Sequence, residues 1–206
     1  MDIPRRQALA SLGALALTPW LPAHGQPAER PATPSLTEGP FYPQSLPADR
    51  DADLTRVAGR GDRAAGKPLA FTGRLLDRRG RPLAGRVIEI WHCDEFGQYH
   101  HVGMPEASGD AAFQGWGEAA SDAEGRFAFR TIKPPPYPGR TPHIHFTVRD
   151  DRRRHVLTSQ AFFEGEAGNE RDFLYRRLGG AARLVTMRLE GDGAGLKGAL
   201  DVVLGG

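Results

Sequence analysis

The sequence predicts an all-β fold, an antiparallel β-sandwich made by a single domain with long loops. Short strand-like runs recur from Pro68 onward, glycine-bearing turn clusters separate them, and helix signals are scarce. With 206 residues, 39% of them hydrophobic and 25% charged, the chain is long enough for one domain with its own core.

The order of elements begins with residues 1–25, MDIPRRQALASLGALALTPWLPAHG, where Arg5 and Arg6 precede an apolar run from Ala8 to Leu17. This pattern reads as an export signal. The paired arginines point to the twin-arginine route, so a periplasmic or secreted protein is expected. The apolar run is too short to cross a bilayer, and no membrane span is expected. Residues 26–36 read as an extended, proline-rich lead-in, and residues 37–206 as the domain.

Strands are expected over Pro68 to Asp77, Gly85 to His92, Arg126 to Ile132, His143 to Val148, His155 to Phe163, Arg183 to Glu190 and Leu196 to Leu204. Two of the turns between them, DRRGRP (77–82) and SDAEGR (121–126), place glycine where a positive φ costs little. GNERDFLYRRL (168–178) has the composition for two or three helical turns. His100 to Ala120 is expected to be a long loop of the kind that borders a site.

Charge narrows the partners. A formal charge of +2 with scattered Lys and Arg argues against nucleic acid, and the basic run Asp151 to His155 reads as a solvated hairpin tip. Cys93 is the single cysteine, so no internal disulfide forms, and it is expected to be a buried, inert filler.

The densest chemistry lies in PPPYPGRTPHIHF, Pro134 to Phe146, where five prolines frame a tyrosine, an arginine and two histidines. Side chains alternate along a strand, so His143 and His145 share one face while Ile144 takes the other. Such a pair taken alone is more often solvated than metal-bound. Tyr137, six residues before His143 in a stiff segment, and Tyr99, which follows the strand around Trp91, change that balance. Two phenolates and two imidazoles suit a hard, highly charged ion, which favours Fe(III) over Zn(II). With one hydroxide, two phenolates make an Fe(III) site electrically neutral, and a neutral site tolerates burial.

Tyr99, Tyr137 and the Arg140-Thr-Pro-His143-Ile-His145-Phe run, together with TEGPFYP (37–43), GRPLAGRVIEIWHCDEFGQY (80–99) and LTSQAFFEG (157–165), resemble the intradiol ring-cleavage dioxygenases. The resemblance covers most of the chain beyond the signal. It implies one non-heme Fe(III) per chain, with Tyr99 and His143 as equatorial ligands and Tyr137 and His145 as axial ones. Arg140 would lie over the bound aromatic ring, and Gln160 would support the substrate and that arginine. Gly39, Pro40 and Tyr42 would form a pocket wall. The implied substrate is a catechol-type aromatic, cleaved with O2 between its two hydroxyl-bearing carbons to a cis,cis-muconate-type diacid. Tyr137 would be the ligand that leaves and takes a substrate proton, and Arg140 would stabilise negative charge on the ring.

The chain also departs from the best-known members. The connection from Tyr137 to His143 is shorter, as in a short exported branch, and Gly139 stands where a bulky aromatic can occur, implying a wider pocket. His92-Cys93-Asp94 before Tyr99 is unusual. His100 and His101 read as solvated loop residues, His24 and His155 as ordinary. Trp91 and Trp116 read as core or pocket wall, Tyr175 as packing, and Glu164 and Asp172 as structural carboxylates.

Two other readings use the same residues. FTGRLLDRRGRPLAGRVIEIW (71–91) followed by DAEGRFAFRTIKP (122–134) also resembles prealbumin-like sandwich modules that bind carbohydrate or protein without metal. Alternatively, His143, His145 and His100 or His101 hold zinc or copper. The sequence leaves the identity of the catechol and the presence of a homo-oligomer open.

Overall fold

The computed structural model describes residues 28–102, 109–192 and 195–205. The expected export signal lies outside the described residues. Among them, ten strands form two five-stranded sheets: β1 Pro68–Asp77, β2 Val87–Trp91, β3 Trp116–Ala120, β4 Arg126–Ile132, β5 His143–Arg149, β6 His155–Phe163, β7 Thr186–Met187, β8 Leu189–Asp192, β9 Gly195–Ala199 and β10 Val202–Leu204. In one sheet β1 is flanked by β4 on one side and by β9 and β10 on the other, with β8 beyond β9; the second runs β3-β2-β5-β6-β7.

The antiparallel expectation needs correction at three junctions. β1 runs parallel to both β9 and β10, and β6 parallel to β7, so both sheets are mixed. The single strand expected over Arg183 to Glu190 is instead a 3₁₀ turn (Gly179–Leu184) followed by β7 and β8. Leu196 to Leu204 divides at Leu200 and Asp201 into β9 and β10. The expected loop His100 to Ala120 ends in a strand, because Trp116 to Ala120 pairs residue by residue with β2. The helix α1, Phe173–Leu178, is shorter than the 168–178 segment that suggested it.

One apolar cluster joins the two sheets. Leu69, Phe71 and Leu75 of β1 and Phe127 and Phe129 of β4 meet Ile88 and Ile90 of β2, Ile144, Phe146 and Val148 of β5, and Phe163 of β6. Period-two alternation puts these on the inner faces. At the turn 121–126, Gly125 has φ 73° and an added Cβ would lie 2.5 Å from the carbonyl oxygen of Leu75, so a side chain there would strain the hairpin into β4. The basic run at 151–155 is the tip of the β5–β6 hairpin, with Asp150 accepting from the backbone of Arg152 and Arg154.

β5 departs from the usual half-wet antiparallel strand, since its outer face is buried too. The lead-in covers that side. Thr33 bonds to Val203 of β10 and Leu36 N donates to Thr158 O of β6, so residues 33–36 bridge the two sheets before the chain crosses the outer face of β2 and β5. Polar side chains on that face are therefore enclosed. No described helix is long and apolar enough to cross a membrane.

Candidate metal centre

The enclosed face of β5 carries His143 and His145, only 2% and 1% exposed. Their Nε2 atoms lie 3.1 Å apart. Tyr99 Oη lies 3.1 Å from His145 Nε2, and Tyr137 Oη lies 3.3 Å from His143 Nε2. Four donor atoms thus follow one another at spacings of 3.1–3.3 Å. Donors about 2.0–2.2 Å from one cation sit roughly this far apart at angles between 90° and the tetrahedral value.

Each position has a local cause. Tyr137-Pro138-Gly139-Arg140 closes a tight turn in which Arg140 N donates to Tyr137 O at 2.9 Å, with Pro at the second position and Gly139 at φ 80° in the third. These are the residues a type II turn requires. Tyr99 is presented by the loop after β2, which is organised around the buried Asp94. This carboxylate accepts from the backbone N–H of Phe96 and Gln98 at 2.9 Å each and of Asp110 at 2.7 Å, and its Oδ2 lies 3.0 Å from His100 Nε2. Trp91, opposite His145 in the β2–β5 register, stacks on its ring with centroids 5.0 Å apart.

Protonation states suit cation binding. His143 Nδ1 donates to Thr141 O at 2.7 Å, so its Nε2 presents a lone pair to the cluster. Burial, aided by the Arg140 charge, pushes the His143 imidazolium down to about 3, and burial together with His143 pushes His145 well below its ordinary value. Both rings are therefore neutral, the form that binds metal. His145 Nδ1 is buried with no hydrogen-bond partner among the described residues. Burial raises the hydroxyls of Tyr99 and Tyr137, so a highly charged cation is what would make them phenolates. Among the described residues no group of three His, Cys, Asp or Glu is placed to hold a metal, so the phenols complete this donor set.

Most of the expected site residues converge here. A Cβ on Gly39 would lie 3.5 Å from His145 Cε1, so the arm passes directly over that ring. Gln160 is fully buried opposite His145 in the β5–β6 register. It accepts from Arg140 Nη2 at 2.5 Å and donates to Thr37 O at 3.0 Å. Pro40 is exposed in the adjoining turn. Tyr42 sits behind Trp91, edge-on at 5.0 Å, and its hydroxyl donates to Glu89 at 2.9 Å. Gly139 borders a cavity of about 510 Å³ that Tyr137 and Arg140 also line, and a Cβ there would meet nothing within 4 Å.

Other expectations change. His100 is buried against Asp94 rather than solvated, and His101 is half-buried with Nε2 3.0 Å from Gln114 O, so neither joins the four donors. Cys93 is buried, its thiol pushed up to about 12 by burial, which makes it an inert filler. Sequence reasoning missed Phe41, which stacks on Tyr99 with centroids 4.4 Å apart; its place inside TEGPFYP was the available signal.

Comparison with known proteins gives the chain a family. A family model described as dioxygenase matches residues 37–206. The chain belongs to the intradiol ring-cleavage dioxygenases. This intradiol family member is 36% identical over 141 residues to a protocatechuate 3,4-dioxygenase beta chain of Burkholderia cepacia, covering 65% of this chain and 60% of that one. It is 31% identical over 183 residues to catechol 1,2-dioxygenase 1 of Acinetobacter lwoffii, covering 80% and 57%. The chain thus spans 57–60% of the length of these two relatives. Among solved structures, the dioxygenase domain of a dioxygenase carbohydrate-binding protein fusion from Streptomyces sp. SirexAA-E is similar at TM-score 0.67 and 30% identity, covering 84% of this intradiol family member and 98% of that chain.

Proposed function

We propose that the chain is an exported Fe(III)-dependent intradiol dioxygenase with a prealbumin-like β-sandwich fold. It cleaves a catechol-type ring between its two hydroxyl-bearing carbons with O2, giving a cis,cis-muconate-type diacid. The observation that carries this reading is the convergence of Tyr99 Oη, Tyr137 Oη, His143 Nε2 and His145 Nε2. Family membership supports it, and so does the hardness of a donor set in which two oxygens can become anionic.

Fe(III) held by these four side chains would supply Lewis acidity and an electron-accepting centre beside a deprotonated catechol. The chain supplies the rest. Tyr137 sits on a turn and is less deeply buried than Tyr99, so it is the phenol freer to move. As a phenolate released by the cation it would take a proton from a catechol hydroxyl, and burial, which raises its hold on a proton, favours that transfer. Arg140, with its side chain 12% exposed and its guanidinium tied to Gln160, keeps its charge in a water-poor place and stabilises negative charge on the ring. The arm at Gly39, lying over His145, keeps water from that side.

The test is an anaerobic visible spectrum of the iron-loaded protein before and after catechol and then protocatechuate, followed by oxygen uptake in air. A broad phenolate band that moves to longer wavelength with one catechol, and uptake with the same compound, are expected. A colourless protein that takes up no iron and responds to neither compound would refute the assignment.

A further inference from the structure

Arg140 is held from two sides. Its Nη2 donates to Gln160 Oε1 at 2.5 Å, and its Nε donates to Asp172 Oδ2 at 2.8 Å. Asp172, whose side chain has no exposed surface, takes four hydrogen bonds in all. Oδ2 also accepts from Thr141 N at 3.0 Å, while Oδ1 accepts from Leu174 N at 2.9 Å and Tyr175 N at 3.1 Å, capping α1. All four partners are donors. An asparagine at this place would turn its NH2 toward two of them, so the position demands an ionised carboxylate.

We infer that Asp172 is a positioning residue that acts through Arg140, fixing where the guanidinium meets the aromatic ring. The inference rests on the proposed function, in which Arg140 faces the substrate. A helix cap alone needs only Oδ1, whereas Oδ2 is spent on the active-site segment. A free arginine samples many rotamers, and anchorage at Nε and Nη2 selects one before substrate arrives. The same carboxylate also holds Thr141 N, and Thr141 O accepts from His143 Nδ1 at 2.7 Å. One buried group thereby ties the arginine, the backbone before a metal-site histidine, and α1 together.

The test is a double-mutant cycle on the iron-loaded full chain with Asp172→Asn and Arg140→Lys, reading KM and kcat separately. Asp172→Asn is expected to lower kcat/KM about 10- to 100-fold in the parent, the cost of misplacing a reacting group by about an ångström. It should lower it by less than about 3-fold in Arg140→Lys, which has no Nε–H for Asp172 to hold. Equal losses in both backgrounds would mean that Asp172 acts through its bonds to Thr141 N or the helix cap and not through Arg140, and would overturn the inference. A second measurement needs neither turnover nor a folded variant at 172: solvent exchange of the Arg140 Nε–H in the unaltered protein, assigned by its loss in Arg140→Lys. Exchange much slower than that of the exposed Arg176 supports the anchorage, and exchange as fast overturns it. Should the protein cleave no catechol, the proposed function falls on the activity assay, while the exchange rate still decides the anchorage.

Discussion

The Nε2 atoms of His143 and His145 face each other at 3.1 Å, and the first of them carries a lone pair because its other nitrogen donates to Thr141 O. Two such rings, both buried, rest together most readily around a shared cation. His143→Ala is therefore expected to lose iron affinity by about 100-fold or more, beyond what loss of a supporting neighbour costs. If the four donors hold iron as proposed, removing it by chelation should lower the melting temperature, since a cation held by donors that only folding brings together would bind the native state alone. Elemental analysis after dialysis, paired with thermal melts, checks both, and stoichiometric iron in His143→Ala would refute the ligand role.

Phe41 lies flat on Tyr99 with planes 16° apart and meets Tyr137 edge-on with centroids 6.3 Å apart. It thus packs against both phenols. Phe41→Ala should cost about 1 kcal/mol in ring pairing and reduce kcat/KM about tenfold through misaligned phenolates. The phenolate absorption band should shift as well. An unchanged band with unchanged kinetics would show that Phe41 is only a cover.

Asp94 gives the acid response a sign. Burial pushes its carboxyl up, but His100 and the backbone N–H groups of Asp110, Gln98 and Phe96 outweigh this and hold it below the ordinary carboxylate range. Its folded value lies below the unfolded value of about 3.9, so its stabilising effect is fully present above that pH and is lost as pH falls through the folded value. The parent should exceed Asp94→Asn by about 2 kcal/mol at neutral pH, with the gap closing in acid below about pH 4. Urea melts across pH measure it. A gap that stays constant into strong acid would mean that the charge of Asp94 contributes nothing.

The placing of His143, His145 and Tyr137 was legible in the sequence because its causes are local, whereas Tyr99 meets His145 by a tertiary contact and was legible only through the family resemblance. Strand alternation puts His143 and His145 on one face, and a proline-glycine turn holds Tyr137 and Arg140 beside them. Strand direction was not legible, since β9 and β10 lie parallel to β1 through pairings with no short-range signal. WGEAA looked like loop because only pairing with β2 makes it a strand. His100 looked solvated because its burial depends on how Asp94 folds the loop around itself. The capping half of Asp172 is readable from its place before FLYRRL, but the half that meets Arg140 is a tertiary contact.

Glu89 is 2% exposed on the site face of β2, and its partners are Arg149 of β5 and the hydroxyl of Tyr42. Tyr42 packs on Trp91 and Trp91 on His145, so this network fastens the amino-terminal arm behind His145. The two partners should not count equally. Arg149→Met strands a buried carboxylate and should cost about 3 kcal/mol, whereas Tyr42→Phe leaves the ion pair in place and should cost about 1 kcal/mol. Glu89→Gln combined with Arg149→Met leaves neither charge unpaired, so it should be more stable than the sum of the single losses predicts. Urea melts of Arg149→Met, Tyr42→Phe, Glu89→Gln and the double variant decide it. A double variant that is strictly additive would mean that Glu89 and Arg149 do not depend on each other.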